Sequence, residues 1–266
     1  MKFALIEREC REAQPGLLGK CRVCGDAMIA KCGVHRVWHW SHRGTRTCDA
    51  WWEPETTWHR GWKSQFPPEC QEIIQWSKAG EKHIADVKTD RGVVVEFQHS
   101  FLPREEREAR EMFYRNMVWV VDGLRRVQDR SRFFELLAKA SIVKAKPLTF
   151  SLPLKKCALL RDWIDSSKPV FFDFGDNREP GDPLLFPASV LWRLEPRSPI
   201  GEAHLSPVLK TSFLDKYRKG LALKGIDYRM ELRTAYAALL QQAAQYRRLT
   251  YFGQYMPKMR RTRRPF

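Results

Sequence analysis

The sequence predicts an α/β (α+β) protein with a small cysteine-rich module in front and a mainly helical, basic C-terminal region. Three observations lead there. Residues 54–123 alternate helix-like and strand-like patterns in the order helix, three strands, helix, strand. Four of the seven cysteines fall between Cys21 and Cys48, and six of the seven histidines precede residue 100. The longest helical pattern, 227–248, lies near the end, where seven of the last twenty residues are Arg or Lys and none is acidic. The chain is thus expected to divide into a strand plus zinc-finger-like module at 1–50, a core at 51–125 and an extension at 126–266.

In order, residues 1–20 suggest a short strand and the turn "PGLLGK", leading into the cysteine-rich stretch. A short helix is expected from 54 to about 65, because Pro54 stands near its first position beside acidic residues. "ECQEIIQW", "EKHIADVKT" and "GVVVEFQ" are strand-like and separated by the turn signals "SKAG" and "DRG". "LPREEREAREMFYRNM" has Pro103 at its entry, acids in its first turn and apolar residues at 109, 112, 113 and 117, which predicts a helix. "VWVVDG" at 118–123 follows as a buried strand. Further on, "RFFELLAKA" suggests a helix, "PVFFDFGD" a strand, and "CALLRDWIDSSKPVFFDFGD" a helix and strand extending the fold.

With 43% hydrophobic residues and ten Trp among 266, the chain has ample material for a core. It contains no run of eighteen apolar residues, and "MKFALIEREC" lacks the layout of a secretory signal, so no membrane partner and a cytoplasmic location are expected. Reduced thiols or metal ligands are then expected in preference to disulfides. Lys and Arg outnumber Asp and Glu by 47 to 31, a formal charge of +16, which favours a polyanionic partner such as nucleic acid over a solubility role or anionic lipid.

"CRVC" sets Cys21 and Cys24 at the spacing at which one turn aims two thiolates at one ion, and zinc takes four such ligands in a tetrahedron. His42 with Cys48 is the preferred second pair, and His39 with His42 the alternative. The competing account has the two thiols buried and the histidines on the surface. A zinc site here would be structural, holding together a module with little core of its own. The nearby tryptophans at 38, 40, 51, 52, 58 and 62 are expected to fix that module to the core in preference to stacking on bases.

If "DRG" forms a three-residue hairpin loop with Gly92 in the left-handed conformation, Thr89 pairs with Val93 and partner numbers sum to 182. Asp86 then stands opposite Glu96, with Cβ atoms about 5 Å apart. Two carboxylates so placed are costly unless a cation lies between them, and oxygen ligands suit magnesium or manganese. The alternative is a pair of solvated carboxylates bridged by Lys82 or Lys88. Glu55, His59 and Lys63, spaced by four and four, would line one side of the preceding helix, beside a metal or as a salt-bridged surface.

Taken together, "CRVCG", "HWSH", "ETTWH", "ADVKT" and "VVVEFQHS" resemble the competence protein CoiA-like family of the PD-(D/E)XK nuclease superfamily, over about residues 15–125. The resemblance implies a restriction-endonuclease-like mixed sheet flanked by helices, with Glu55, Asp86 and Glu96 holding Mg²⁺ or Mn²⁺ for DNA cleavage linked to DNA processing, uptake or recombination. The superfamily's third motif usually ends in Lys, and here that position is Gln98, which can orient a water but supplies no charge. Lys63 or Lys88 would have to replace it, with His59 assisting proton transfer. The expected activity is thus a magnesium-dependent deoxyribonuclease, with an inactive zinc-containing DNA-binding protein and an RNase as its rivals. Oligomerisation would use the long C-terminal helix.

Overall fold

The structure is a computed structural model and describes residues 1–44, 48–51, 53–176, 189–196 and 198–227. The helix expected at 227–248, the basic tail and Trp52 fall outside the described residues, apart from Asp227.

Five short strands form the first sheet: β1 (Phe3–Ile6), β2 (Glu9–Glu12), β3 (Leu18–Lys20), β4 (Ala27–Lys31) and β5 (His39–His42), in the order β2-β1-β3-β4-β5. Its small core holds Met1, Ala4, Ala13, Met28 and Trp40 together with Cys21 and Cys48.

Helix α1 (Thr57–Lys63) follows, then β6 (Gln71–Trp76), β7 (Lys82–Lys88), β8 (Val94–Gln98), α2 (Arg104–Tyr114) and β9 (Met117–Asp122), matching the order expected from sequence. The hairpin register also agrees. Val87 pairs with Val95 and Lys88 with Val94, Thr89 N–H donates to Val93 O at 2.9 Å, and Gly92 has φ +73°. The expected helix at 132–140 is α3 (Val127–Leu137), and the expected helix and strand near 157–176 are α4 (Ala158–Trp163) and β12 (Val170–Asp173).

One sheet of nine strands carries most of the fold. The parallel run β8-β9-β12 lies at its centre, with antiparallel β7 and β6 on one side. On the other side lie β13 (Val190–Leu194), β14 (Glu202–Leu209), β11 (Leu148–Pro153) and β10 (Ser141–Ala145). The mainly helical character expected beyond 126 is therefore corrected for the described residues: five strands lie there, and helix α5 (Lys210–Lys219) follows them. The sheet crosses residue 125 without a break, so the described strands beyond it continue the same layer. Two apolar clusters cover it, one containing Trp119, Phe133 and Trp163, the other Trp62, Phe97 and Phe213.

Helix α2 has the expected period and a different buried face. Arg107, Arg110, Glu111 and Tyr114 are buried, while Ala109 and Met112 face solvent and Phe113 is half-buried. The buried charges are paired. Arg107 donates to Asp162 O at 2.7 Å and Asp165 Oδ1 at 2.6 Å, and Glu111 accepts from Trp119 Nε1 and from Ser166 and Ser167. With most of its groups bonded, Arg107 Nε being the exception, this polar face packs at moderate cost, and it is the one α2 buries.

Candidate functional site

At the end of the hairpin away from its loop, β7 and β8 part, and carboxylates take up the freed backbone groups. Asp86 N–H donates to Glu96 Oε1 and Phe97 N–H donates to Asp86 Oδ2, each at 3.0 Å. The two acids are therefore neighbours across the strands. On the other flank, Gln71 pairs with Val87 and Ile73 with Ala85, which sets Glu72 of β6 opposite Asp86. Three adjacent strands thus carry one acid each in a row.

The positive charge in this row comes from the protein. Lys63, at the end of α1 and buried, lies 2.9 Å from Glu55, 3.1 Å from Glu72 and 3.6 Å from Asp86. Burial alone would lower its pKa, but Glu72, Asp86 and Glu55 raise it, so the ammonium stays charged. Glu55 precedes the helix instead of lying on it: Thr56 caps α1 by accepting from His59 N–H, so the helix starts two residues later. The Glu55 carboxylate still reaches Lys63 and also Arg60, and these cations outweigh burial and hold its pKa below the ordinary range.

Glu96 has the opposite fate. Burial first, then the Asp86 charge, push its carboxyl up to about 8, with Arg110 of α2 at 3.5 Å opposing them. Its carboxyl thus favours the protonated form more than a solvent-exposed glutamate does. The oxygens not already bonded to backbone are Asp86 Oδ1, facing Lys63, and Glu96 Oε2, facing Arg110. They border a cavity of about 70 Å³ also lined by Asp49, Glu53, Glu55, His59 and Glu72. An oxygen-only donor set of this kind suits a hard divalent cation, which would compete with those two side chains for it.

Other residues expected at the site stand differently. His59 Nε2 donates to Phe97 O at 2.6 Å, bracing α1 against β8, and its Nδ1 meets Oγ1 of the capping Thr56 at 3.1 Å, so both ring nitrogens are engaged. Gln98 is buried with its amide nitrogen on Glu53 and on Ser100 O, and it does not line the cavity. Lys88 lies elsewhere, donating to Gln75 at 2.6 Å, so of the two lysines only Lys63 lines the cavity.

Four participants escaped the sequence reading. Glu72 carried a usable signal, since it is an acid inside the apolar strand "QEIIQW", as Asp86 and Glu96 are in theirs. Asp49, Glu53 and Arg110 carried none; their loop and helix positions gain meaning only from tertiary contact.

The cysteine module has a second centre. Cys21, Cys24, His42 and Cys48 offer ligand atoms that all lie within 4.8 Å of one another, the one such group among the described residues, and they could hold zinc. Cys21 Sγ and Cys48 Sγ are 3.9 Å apart, and His42 Nε2 is 3.3 Å from Cys24 Sγ and 3.6 Å from Cys48 Sγ. A tetrahedron with ordinary zinc bonds has edges of about 3.8 Å, so the set fits. His39, the alternative ligand, is outside it, with Nδ1 hydrogen-bonded to Val37 O.

The module is docked on the large sheet by carboxylates. Glu72 accepts from Lys2 N–H at 2.7 Å and Phe3 N–H at 3.1 Å, while Asp49 accepts from Ile84 N–H and from His83, each at 3.0 Å. Trp51 stacks on His83 with centroids 3.2 Å apart, Trp58 and Trp62 both donate to Asp173, and Trp40 sits in the module core. Among the described tryptophans expected to fix the module, Trp51 does so, whereas Trp38 is half exposed.

Burial raises and Lys63 then lowers the Glu72 pKa, to about 2, and hydrogen bonds from His83 and backbone likewise bring Asp49 below its ordinary value. Carboxylates with depressed folded pKa values contribute stability present above about pH 4.5 and lost as pH falls toward 2. The urea midpoint is expected to drop between pH 5 and 3, with a shallower drop in Glu72→Gln. That difference separates the carboxylate from protonation of the cysteine and histidine ligands.

Among the described residues no helix is long and apolar enough to cross a membrane. The chain matches no protein-family model, no curated protein and no solved structure.

Proposed function

We propose that the protein is a divalent-metal-dependent nuclease that hydrolyses DNA phosphodiester bonds, with a structural zinc in its N-terminal module. One observation carries this: Asp86 and Glu96, from neighbouring strands, interlock where those strands part, beside a buried lysine and an acid-lined cavity. The motif resemblance to the CoiA-like nucleases and the charge of +16 support the same conclusion.

Magnesium or manganese, when bound, supplies Lewis acidity to the scissile phosphate and a lowered pKa to its water. Asp86 and Glu96 would hold the ion, which would require the Glu96 carboxyl to be ionised. Glu55 keeps Lys63 charged and oriented, and Lys63 offers the ammonium that Gln98 lacks to the phosphate oxygens. His59 positions Phe97, and through it the Asp86 carboxylate. Cys21, Cys24, His42 and Cys48 would hold a structural zinc away from the reaction.

A second reading is a zinc-containing DNA-binding protein without activity. It is favoured by the fact that Lys63 and Arg110 already neutralise the acids and that Gln98 turns to Glu53. Plasmid, linear duplex, single-stranded DNA and RNA, each incubated with and without magnesium, distinguish these. Magnesium-dependent loss of DNA is expected; binding without cleavage on every substrate overturns the nuclease, and cleavage of RNA alone reassigns it as an RNase.

A further inference from the structure

A second cavity, of about 580 Å³, adjoins the acidic one and shares Met1 and Glu55 with it. Its remaining described walls come from the β4–β5 hairpin, from the end of the module near Gly44 and from Pro54. The hairpin loop brings Lys31, His35 and Arg36 to this cavity, all exposed. None of the three has a side-chain hydrogen bond or ion pair among the described residues. Elsewhere the arginines of α2 and the α3 entry are matched with carboxylates, as Arg104 is with Asp165 and Arg126 with Asp162. Glu55 is the one carboxylate among the described lining residues, and Lys63 and Arg60 already hold it.

The cavity is thus a cationic recess at the entrance to the acid cluster. Its volume lies in the range of about 300–1,000 Å³ typical of small-ligand sites. A nucleotide fits such a space, whereas a double helix does not. The imidazoles of His35 and His39 add planar groups on which a base can stack.

We propose that this cavity binds an unpaired nucleotide of a single-stranded nucleic acid, flanking the phosphate that enters the acidic cavity, with Lys31 and Arg36 on neighbouring phosphates. The assignment rests on the nuclease reading for its orientation and names the substrate class: single strands or frayed ends, with the duplex held only from outside.

The test is fluorescence anisotropy on the zinc-loaded full chain in magnesium-free buffer, with labelled dT12, rU12 and a 12-base-pair duplex. The double variant Lys31→Glu/Arg36→Glu is compared with Lys139→Glu/Lys144→Glu, an equal change in charge on exposed residues of another region. At least tenfold weaker binding of dT12 or rU12 by the hairpin variant is expected, with under threefold change on duplex and no comparable loss in the control. The preferred strand identifies the sugar. Losses no larger than the control pair's, or equal on duplex and single strand, overturn the assignment. Because no cleavage is read, wild type that binds dT12 through this loop but never cuts would overturn the nuclease and leave the cavity assigned.

Discussion

Asparagine in place of Asp86 is expected to leave a folded, zinc-loaded protein whose magnesium-dependent DNA cleavage has fallen by about 10³-fold or more. Asp86 is the acid at the centre of the row, between Glu72 and Glu96, and one of its oxygens faces the cavity through Lys63. Asparagine keeps the volume and an oxygen to accept the Phe97 N–H, so the strand junction survives. It removes the charge that a divalent ion needs. It also relieves Glu96 of a like-charged neighbour, so the Glu96 carboxyl, at about 8 from burial and then Asp86, is expected to titrate lower in the variant. Lys88→Ala is the matching control, because Lys88 bonds Gln75 outside the cavity. Initial rates on plasmid, with circular dichroism and zinc content measured in parallel, read both. Undiminished cleavage by Asp86→Asn would rule out the mechanism.

Loss of the zinc ligands is expected to have the larger effect on folding. Cys48→Ala should remove the bound zinc and with it the folded state of residues 1–44, since structural zinc contributes on the order of 10 kcal/mol at pH 7 to modules of this kind. The apolar core of this module is too small to replace that contribution. The nine-stranded sheet has its own cores and is expected to persist. The damage still reaches the cavity, because Glu72 loses the N–H donors of Lys2 and Phe3 and Asp49 is tethered directly after Cys48. Zinc stoichiometry, protection of the β1–β5 amides from hydrogen exchange and cleavage rate should fall together. His39→Ala should leave zinc stoichiometry and amide protection unchanged, its ring being outside the ligand set. Full zinc content and unchanged exchange in Cys48→Ala would refute the assignment.

Local signals were legible where the physics is local. The loop "DRG" set the hairpin register because a left-handed Gly92 admits few alternatives, and the register put Asp86 beside Glu96. Cys21 and Cys24 could be paired by spacing, but the choice of Cys48 over His39 needed the packing of the module. Strand β14 carries no such local signal: Pro207 argues against a central strand, yet it pairs opposite Trp192 of β13. Strand β10 is exposed along its whole length and carries little apolar pattern.

By itself the sequence determined the period of each helix near the site, the hairpin register, the two acids it juxtaposes and the Cys/His ligand types, because these follow from turn geometry and residue spacing within a few positions. Tertiary structure alone decided which face of α2 is buried and which cations, Lys63 and Arg110, answer the acids. It also decided that Glu72 and Asp49 fasten the zinc module to the sheet. Those outcomes depend on pairings between residues up to 70 positions apart, such as Lys2 with Glu72. Whether a buried charge is tolerated is settled only when its partner arrives.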